Sequence, residues 1–203
     1  MSNRRGTPIR RVVRGERRWP VGARVVGGIV LAFLVIFAIV LVLDVREQAG
    51  STAPSGVTSY SNLSRNHTEA PVNYPQTPPV GGDHNPVWQN CGFYSKPIRN
   101  ENAVHSLEHG AVWITYRPDL PQGQVEKSKN LAEKSYVLAS PYPGLPSPVV
   151  ASAWGKQLKV DSANDPRLEQ FVSAYRQGPQ TPEPGAPCTG GVGAPQSRLS
   201  ERR

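Results

Sequence analysis

Three stretches of different hydrophobic pattern divide the chain. The first, VVGGIVLAFLVIFAIVLVL over Val25–Leu43, runs for 19 residues without a charge. As a helix it would measure roughly 28 Å at about 1.5 Å per residue, close to the ~30 Å core of a bilayer. It predicts one N-terminal transmembrane helix. A cleaved signal peptide competes with this reading, but its apolar region usually runs about 7–15 residues and ends at a small-residue site. Here the charged LDVREQAG follows instead. Arg10–Arg11 suggests a twin-arginine signal without a supporting motif around it. The second stretch, residues 44–70, is polar, Ser/Thr-rich and without apolar periodicity, which predicts a flexible stalk. Asn62 and Asn66 each begin a glycosylation sequon within it.

The third stretch alternates short apolar runs with helical spacings, and predicts a folded domain over 71–190 and a disordered tail over 191–203. APVNYPQTPPVGGDHNPVW is dense in Pro and Gly, so extended segments and turns are expected. NENAVHSLEHG predicts a short helix, with Asn100 or Asn102 as N-cap and Gly110 just past its end. The β-branched and aromatic run Ala111–Tyr116 predicts a strand. PQGQVEKSKNLAEKS reads as a helix, YVLASPY as a second strand, and VVASAW and KQLKV as one or two more. Leu168, Phe171, Val172 and Tyr175 recur at helical spacing, with Asp165 as N-cap, Pro166 as first residue and Gly178 as stop. The fold class expected is α+β: a transmembrane helix plus a small extracytoplasmic domain with a mostly antiparallel sheet and two to three helices.

Charge changes the picture only at the N-terminus. The net charge is +8, but residues 1–24 carry +7 of it, from eight arginines and Glu16. The body is nearly neutral, which excludes a nucleic-acid-binding domain. Arginines on the N-terminal side of an apolar span place residues 1–24 in the cytoplasm and the rest outside. They also suit anionic lipid head groups, so membrane lipid and a membrane-protein partner are the expected associations. The two cysteines, Cys91 and Cys188, then lie in an oxidising compartment, where a disulfide is the default. Its loop of about 97 residues is long enough for a chain-entropy stabilisation of roughly 4–5 kcal/mol. The aromatic set Trp88, Phe93, Tyr94, Trp113, Tyr116, Tyr136, Tyr142 and Trp154 reads as core.

The chemistry gathers in NAVHSLEHGAVWITY, residues 102–116. On a helix turning about 100° per residue, Glu101, Asn102, His105, Glu108 and His109 share one side, and Ala103, Val104 and Leu107 the other. An i, i+4 histidine pair points both rings at one ion, and zinc or copper suits imidazole ligands in an oxidising compartment. His84, in the Gly-rich loop GGDHNP, is the best third ligand, with Cys91 second if it is not oxidised. The letters His105–His109 also match H-x-x-E-H, in which two histidines bind zinc and the glutamate is general base. Gly110 ends the helix at once, however, and no downstream helix offers a matching glutamate. A polar helix face without a ligand remains a further reading. As a strand, the segment would place His105 and His109 on one face and turn Glu108 away.

YPQTPPVGGDHNPVWQNCGFY followed by VHSLEHGAVWITYRP resembles the bacterial domain-of-unknown-function 3105 family. The resembling residues are Pro78, Pro79, Gly82 and His84, then Gly92 and Tyr94, then Val104–Gly110. The family's usual Pro-Pro-Thr-Ser-Gly-Pro-His is here Pro-Pro-Val-Gly-Gly-Asp-His, with the histidine still in register. The resemblance implies a membrane-anchored or exported protein and groups His84, His105, Glu108 and His109 as one cluster; it implies no reaction. The expected function is a metal-binding accessory domain with His84, His105 and His109 as ligands and Glu108 as a further ligand or as a base beside them. The alternatives are a non-catalytic interaction module of an envelope or membrane complex, and a zinc-dependent hydrolase with Glu108 as base.

Overall fold

A ladder of strands across residues 112–160 organises the fold. The computed structural model describes residues 29–39 and 53–196. Residues 1–50 and 51–203 form two separate units. Of the first, residues 29–39 are a helix, α1. At about 1.5 Å per residue it measures roughly 16 Å, about half the ~30 Å bilayer core. Among the described residues no helix is long and apolar enough to cross a membrane, which overturns the transmembrane helix expected over Val25–Leu43. The ends of that span, the basic arm 1–24 and stalk residues 44–52 lie outside the described residues.

The second unit holds strands β1 (Thr58–Ser59), β2 (Gly92–Phe93), β3 (Val112–Tyr116), β4 (Val137–Pro141), β5 (Val149–Ala153) and β6 (Lys156–Val160), and helices α2 (Asn100–Glu108), α3 (Gln122–Ala132) and α4 (Arg167–Tyr175). The sheet order is β1-β6-β5-β3-β4-β2. β3 pairs antiparallel with β5, β5 with β6 and β6 with β1, while β4 pairs parallel with both β3 and β2. The domain is α+β, but the sheet is mixed rather than mostly antiparallel. The cause is α3: a helix between two strands is a crossover, and a crossover returns the second strand parallel to the first.

Alternation along the strands sends two sets of side chains to opposite faces. Val112, Ile114, Val137, Ala139, Val149, Ala151, Leu158 and Val160 pack against Leu131 and Ala132 of α3 and Leu168, Phe171 and Val172 of α4. Trp113 and Leu138 point the other way, onto Ala103, Val104 and Leu107 of α2. The second face also carries polar groups, each satisfied. The Trp113 indole donates to Ser140 Oγ, and Gln157 Nε2 donates to the Pro78 carbonyl and to Ser152 Oγ. At α4, Asp165 Oδ1 accepts the Arg167 N–H at 2.9 Å and Pro166 already has helical dihedrals, so the helix starts as its cap signal predicts. It ends at Tyr175, short of the expected Gly178.

The described parts of the expected stalk and tail, residues 53–70 and 191–196, join the domain. Residues 53–70 supply β1, and His67 forms a parallel bridge with His84. At the other end, Val192 bridges Gln89 and Gln196 bridges Phe93. Polar, Pro/Gly-rich segments carry no periodicity, yet their backbone groups find partners on existing edges. Residues 197–203 lie outside the described residues. Cys91 and Cys188 are joined in a disulfide that closes a 97-residue separation.

Helix α2 ends in a fully partnered turn. Gly110 N–H bonds the Leu107 carbonyl and Ala111 N–H the Ser106 carbonyl, the double closure of a Schellman motif, with Gly110 at φ +90°. The remaining carbonyls of the last turn are taken by the C-terminal segment: Glu183 N–H bonds Glu108 O, and Gln177 Nε2 bonds His109 O. A Cβ at residue 110 would sit in the left-handed region and against Gln177 and Thr181. Gly110→Ala should therefore lower stability by at least about 1–2 kcal/mol in urea unfolding of the oxidised protein. An unchanged midpoint would show that the turn relaxes freely.

Candidate metal centre

The polar side of α2 is not a solvent face. Glu101, Asn102, His105, Ser106, Glu108 and His109 are all buried, under a loop before the helix and a segment after β6 and α4. Burial of that many polar groups requires partners. Residues 85–89 provide one set. Ser106 Oγ bonds both the carbonyl and the N–H of Gln89, and Asn102 Nδ2 donates to the Val87 carbonyl at 2.6 Å. Asn102 thus anchors the loop rather than capping the helix; the N-cap position is Arg99. The same docking brings the Asn85 carbonyl within 2.6 Å of His105 Nδ1.

His84 precedes this loop, and glycine geometry places it. Gly82 has φ +113°, and its carbonyl accepts from His84 Nδ1 at 2.7 Å. The backbone of His84 pairs with the neighbouring chain, bonding Asn66 O and Thr68 N–H. That pairing sets His67 beside His84, their ring centroids 5.0 Å apart. His67 also stacks on His105 at 5.0 Å.

His67, His84, His105 and Glu108 each offer one ligand atom, all within 4.8 Å of one another, and the group can hold a metal ion. Three members are buried, with His84 at 0%, Glu108 at 1% and His105 at 4% exposure, whereas the His67 side chain is 51% exposed. His84 Nε2 lies 2.8 Å from Glu108 Oε2, yet it makes no hydrogen bond. The other oxygen, Oε1, accepts from Arg65 Nε at 2.6 Å, and Arg65 Nη2 reaches Glu183 at 3.3 Å. The charge of Glu108 is therefore held by a guanidinium on one side and faces the histidines on the other.

The ring nitrogens follow one pattern. His84 Nδ1, His105 Nδ1 and His109 Nδ1 bond the carbonyls of Gly82, Asn85 and Pro187 at 2.7, 2.6 and 2.7 Å. A carbonyl only accepts, so each Nδ1 carries the proton and each neutral ring keeps its lone pair on Nε2. Backbone carbonyls that fix the tautomer this way are the usual outer shell of metal-binding histidines. Burial pushes His105 down to about 4, against a smaller opposing effect of the Asn85 carbonyl, so its ring is neutral near pH 7.

His109 stands beside the group, its Nε2 2.9 Å from His105 Nε2 and 3.7 Å from Glu183 Oε2. The Trp88 ring covers His105 and His109 at 5.8 and 5.1 Å, and Trp154 lies 6.0 Å from His84. Trp88 is thus half-buried against the histidines, while most of the aromatic set is core. Cys91 is in the disulfide and is not a ligand. His67 was not among the sequence candidates. It lies in a polar, sequon-bearing segment, and the only signal for it is scarcity: the chain has four histidines, and three were already grouped. The H-x-x-E-H arrangement expected for a hydrolase is also rearranged, with Glu108 among the donor atoms and bonded to Arg65.

Residues 66–190, more than half of the chain, match the family described as Protein of unknown function (DUF3105), and the chain belongs to that family. The matched span contains all four histidines, Glu108 and both cysteines. No curated protein and no solved structure matches the chain.

Arg65 supplies a charged hydrogen bond to a buried carboxylate while remaining 48% exposed itself. Arg65→Ala should cost about 1.5–3 kcal/mol in the metal-free protein. Combined with Glu108→Gln, the loss should be smaller than the sum of the two single losses, because the neutral amide no longer needs a cation. A double-mutant cycle by chemical unfolding measures this, and strict additivity would remove the pair from the account of the site.

Proposed function

We propose that the domain binds one transition-metal ion through His67, His84, His105 and Glu108. Zinc and copper are the ions that three imidazoles and a carboxylate suit best. The observation that carries the reading is His84 Nε2: a fully buried nitrogen with no hydrogen bond, set 2.8 Å from a carboxylate oxygen. A buried polar atom left in that state costs about 1–3 kcal/mol, and a cation in front of both atoms removes the cost. The outer shell supports the same reading, since the histidine tautomers and the Glu108 rotamer are set by groups that do not themselves enter the cluster. The Cys91–Cys188 disulfide suits an oxidising, extracytoplasmic compartment.

Purified protein stripped by a chelator should take up about one equivalent of zinc or copper by mass spectrometry of bound metal. Saturation at about 100 times Kd should raise its unfolding free energy by about 2.7 kcal/mol. His84→Ala should weaken binding by more than the about 10–100-fold expected for loss of an outer-shell group. Uptake below about a tenth of an equivalent by the wild-type chain, under conditions where added metal is free to exchange, overturns the reading.

A further inference from the structure

Of the four donor side chains, three are locked and one is not. His84 and His105 are buried, and a backbone carbonyl holds each at Nδ1, at 2.7 and 2.6 Å. Glu108 is buried and held at Oε1 by Arg65 at 2.6 Å. Turning any of these three off an ion would break a hydrogen bond in the interior and leave a buried group unpaired.

His67 differs in each respect. Its side chain is 51% exposed, and its Nε2 stands 4.0 Å from Glu108 Oε2, beyond hydrogen-bond reach. Its ring stacks on His105 at 5.0 Å and 16°, and meets His84 edge-on at 5.0 Å. The backbone beneath it is fixed, since the Asn66 carbonyl and the Thr68 N–H both bond His84. The ring can therefore leave the cluster by rotating about its own side-chain bonds, a fast motion for an exposed residue, with no segment opening.

What His67 vacates is a position already shaped for an imidazole, with the rings of His84 and His105 beside it. An ion that serves only the fold is closed off by protein ligands; here one ligand in four faces solvent. We infer that the bound ion is exchangeable, and that an imidazole from outside the chain displaces His67 while His84, His105 and Glu108 hold on. One metal–nitrogen bond breaks and one forms. A neutral nitrogen replaces a neutral nitrogen, so the ion keeps its oxidation state and the lone pair of His67 returns to its ring. The inference rests on the metal-binding reading above and adds the class of ligand that the ion takes up. That imidazole belongs to a small molecule or to a histidine of another chain.

The test is rescue, on the full chain loaded with zinc, or with copper if that is the ion it retains. His67→Gly should bind the metal more weakly than wild type. Imidazole at about 10 mM, above the roughly millimolar effective concentration of a tethered group, should tighten that binding at least about tenfold. His84→Gly, whose lost ring is fully buried, should gain nothing measurable. A short histidine-containing peptide is the second probe. Rescue by both probes supports exchange with a histidine of another chain, and rescue by imidazole alone supports exchange with a small molecule. Metal transfer from the wild-type chain to a chromogenic chelator should quicken in proportion to chelator concentration, because the incoming ligand attacks at the exposed position. A transfer rate independent of chelator concentration overturns the inference, and so does imidazole that fails to rescue His67→Gly or rescues His84→Gly equally. A wild-type chain that binds neither zinc nor copper overturns the underlying reading instead. If His67→Gly loses its far-ultraviolet circular dichroism, the wild-type transfer rate decides alone.

Discussion

Helix α2 has only nine residues, carries five ionisable or amide side chains, and is buried on every side. That is the constraint from which the rest of the domain follows. A buried polar group without a partner costs about as much as a core cavity, so each group on α2 must be met by something. The sheet meets only the apolar side. The segments before and after the central strands must meet the other, and they do so with backbone carbonyls and N–H groups rather than with apolar bulk.

This explains why segments with no secondary structure are nonetheless fixed. Residues 85–89 are tied to Ser106 and Asn102, and residues 177–188 close the carbonyls at the end of α2 and reach His109 Nδ1. The disulfide holds the second segment against the first. With the Nδ1 atoms of His84, His105 and His109 bonded to carbonyls, one ligand atom each of His67, His84, His105 and Glu108 is left within 4.8 Å of the others. The candidate site is thus what remains once the other polar groups of the helix have been paired.

Much of the element pattern could be read along the chain. The strands at 112–116, 137–141, 149–153 and 156–160 and the helices at 100–108, 122–132 and 167–175 lie close to where periodicity and punctuation put them. Signals that depend on neighbours in sequence survive because side-chain alternation and cap chemistry are local. The parallel pairing of β3 and β4 was less legible, although the order strand–helix–strand implied it, because short strands near turns read as hairpins. His67 was not legible at all. It reaches the site through a backbone bridge to His84, and nothing in a polar Ser/Thr-rich stretch records which distant edge it will pair with.

By itself the sequence determined which residues could do chemistry: two histidines and a glutamate at helical spacing, a glycine to stop that helix, and a third histidine in a glycine loop. Those are short-range facts, set by spacing and backbone freedom. Only the tertiary structure decided that the polar side of α2 is interior, that His67 belongs with it, and that Glu108 faces His84 with one oxygen and Arg65 with the other. The two Glu108 contacts join residues 24 and 43 positions apart. Burial, which turns a polar face into a ligand set, is a property of what covers a helix and not of the helix.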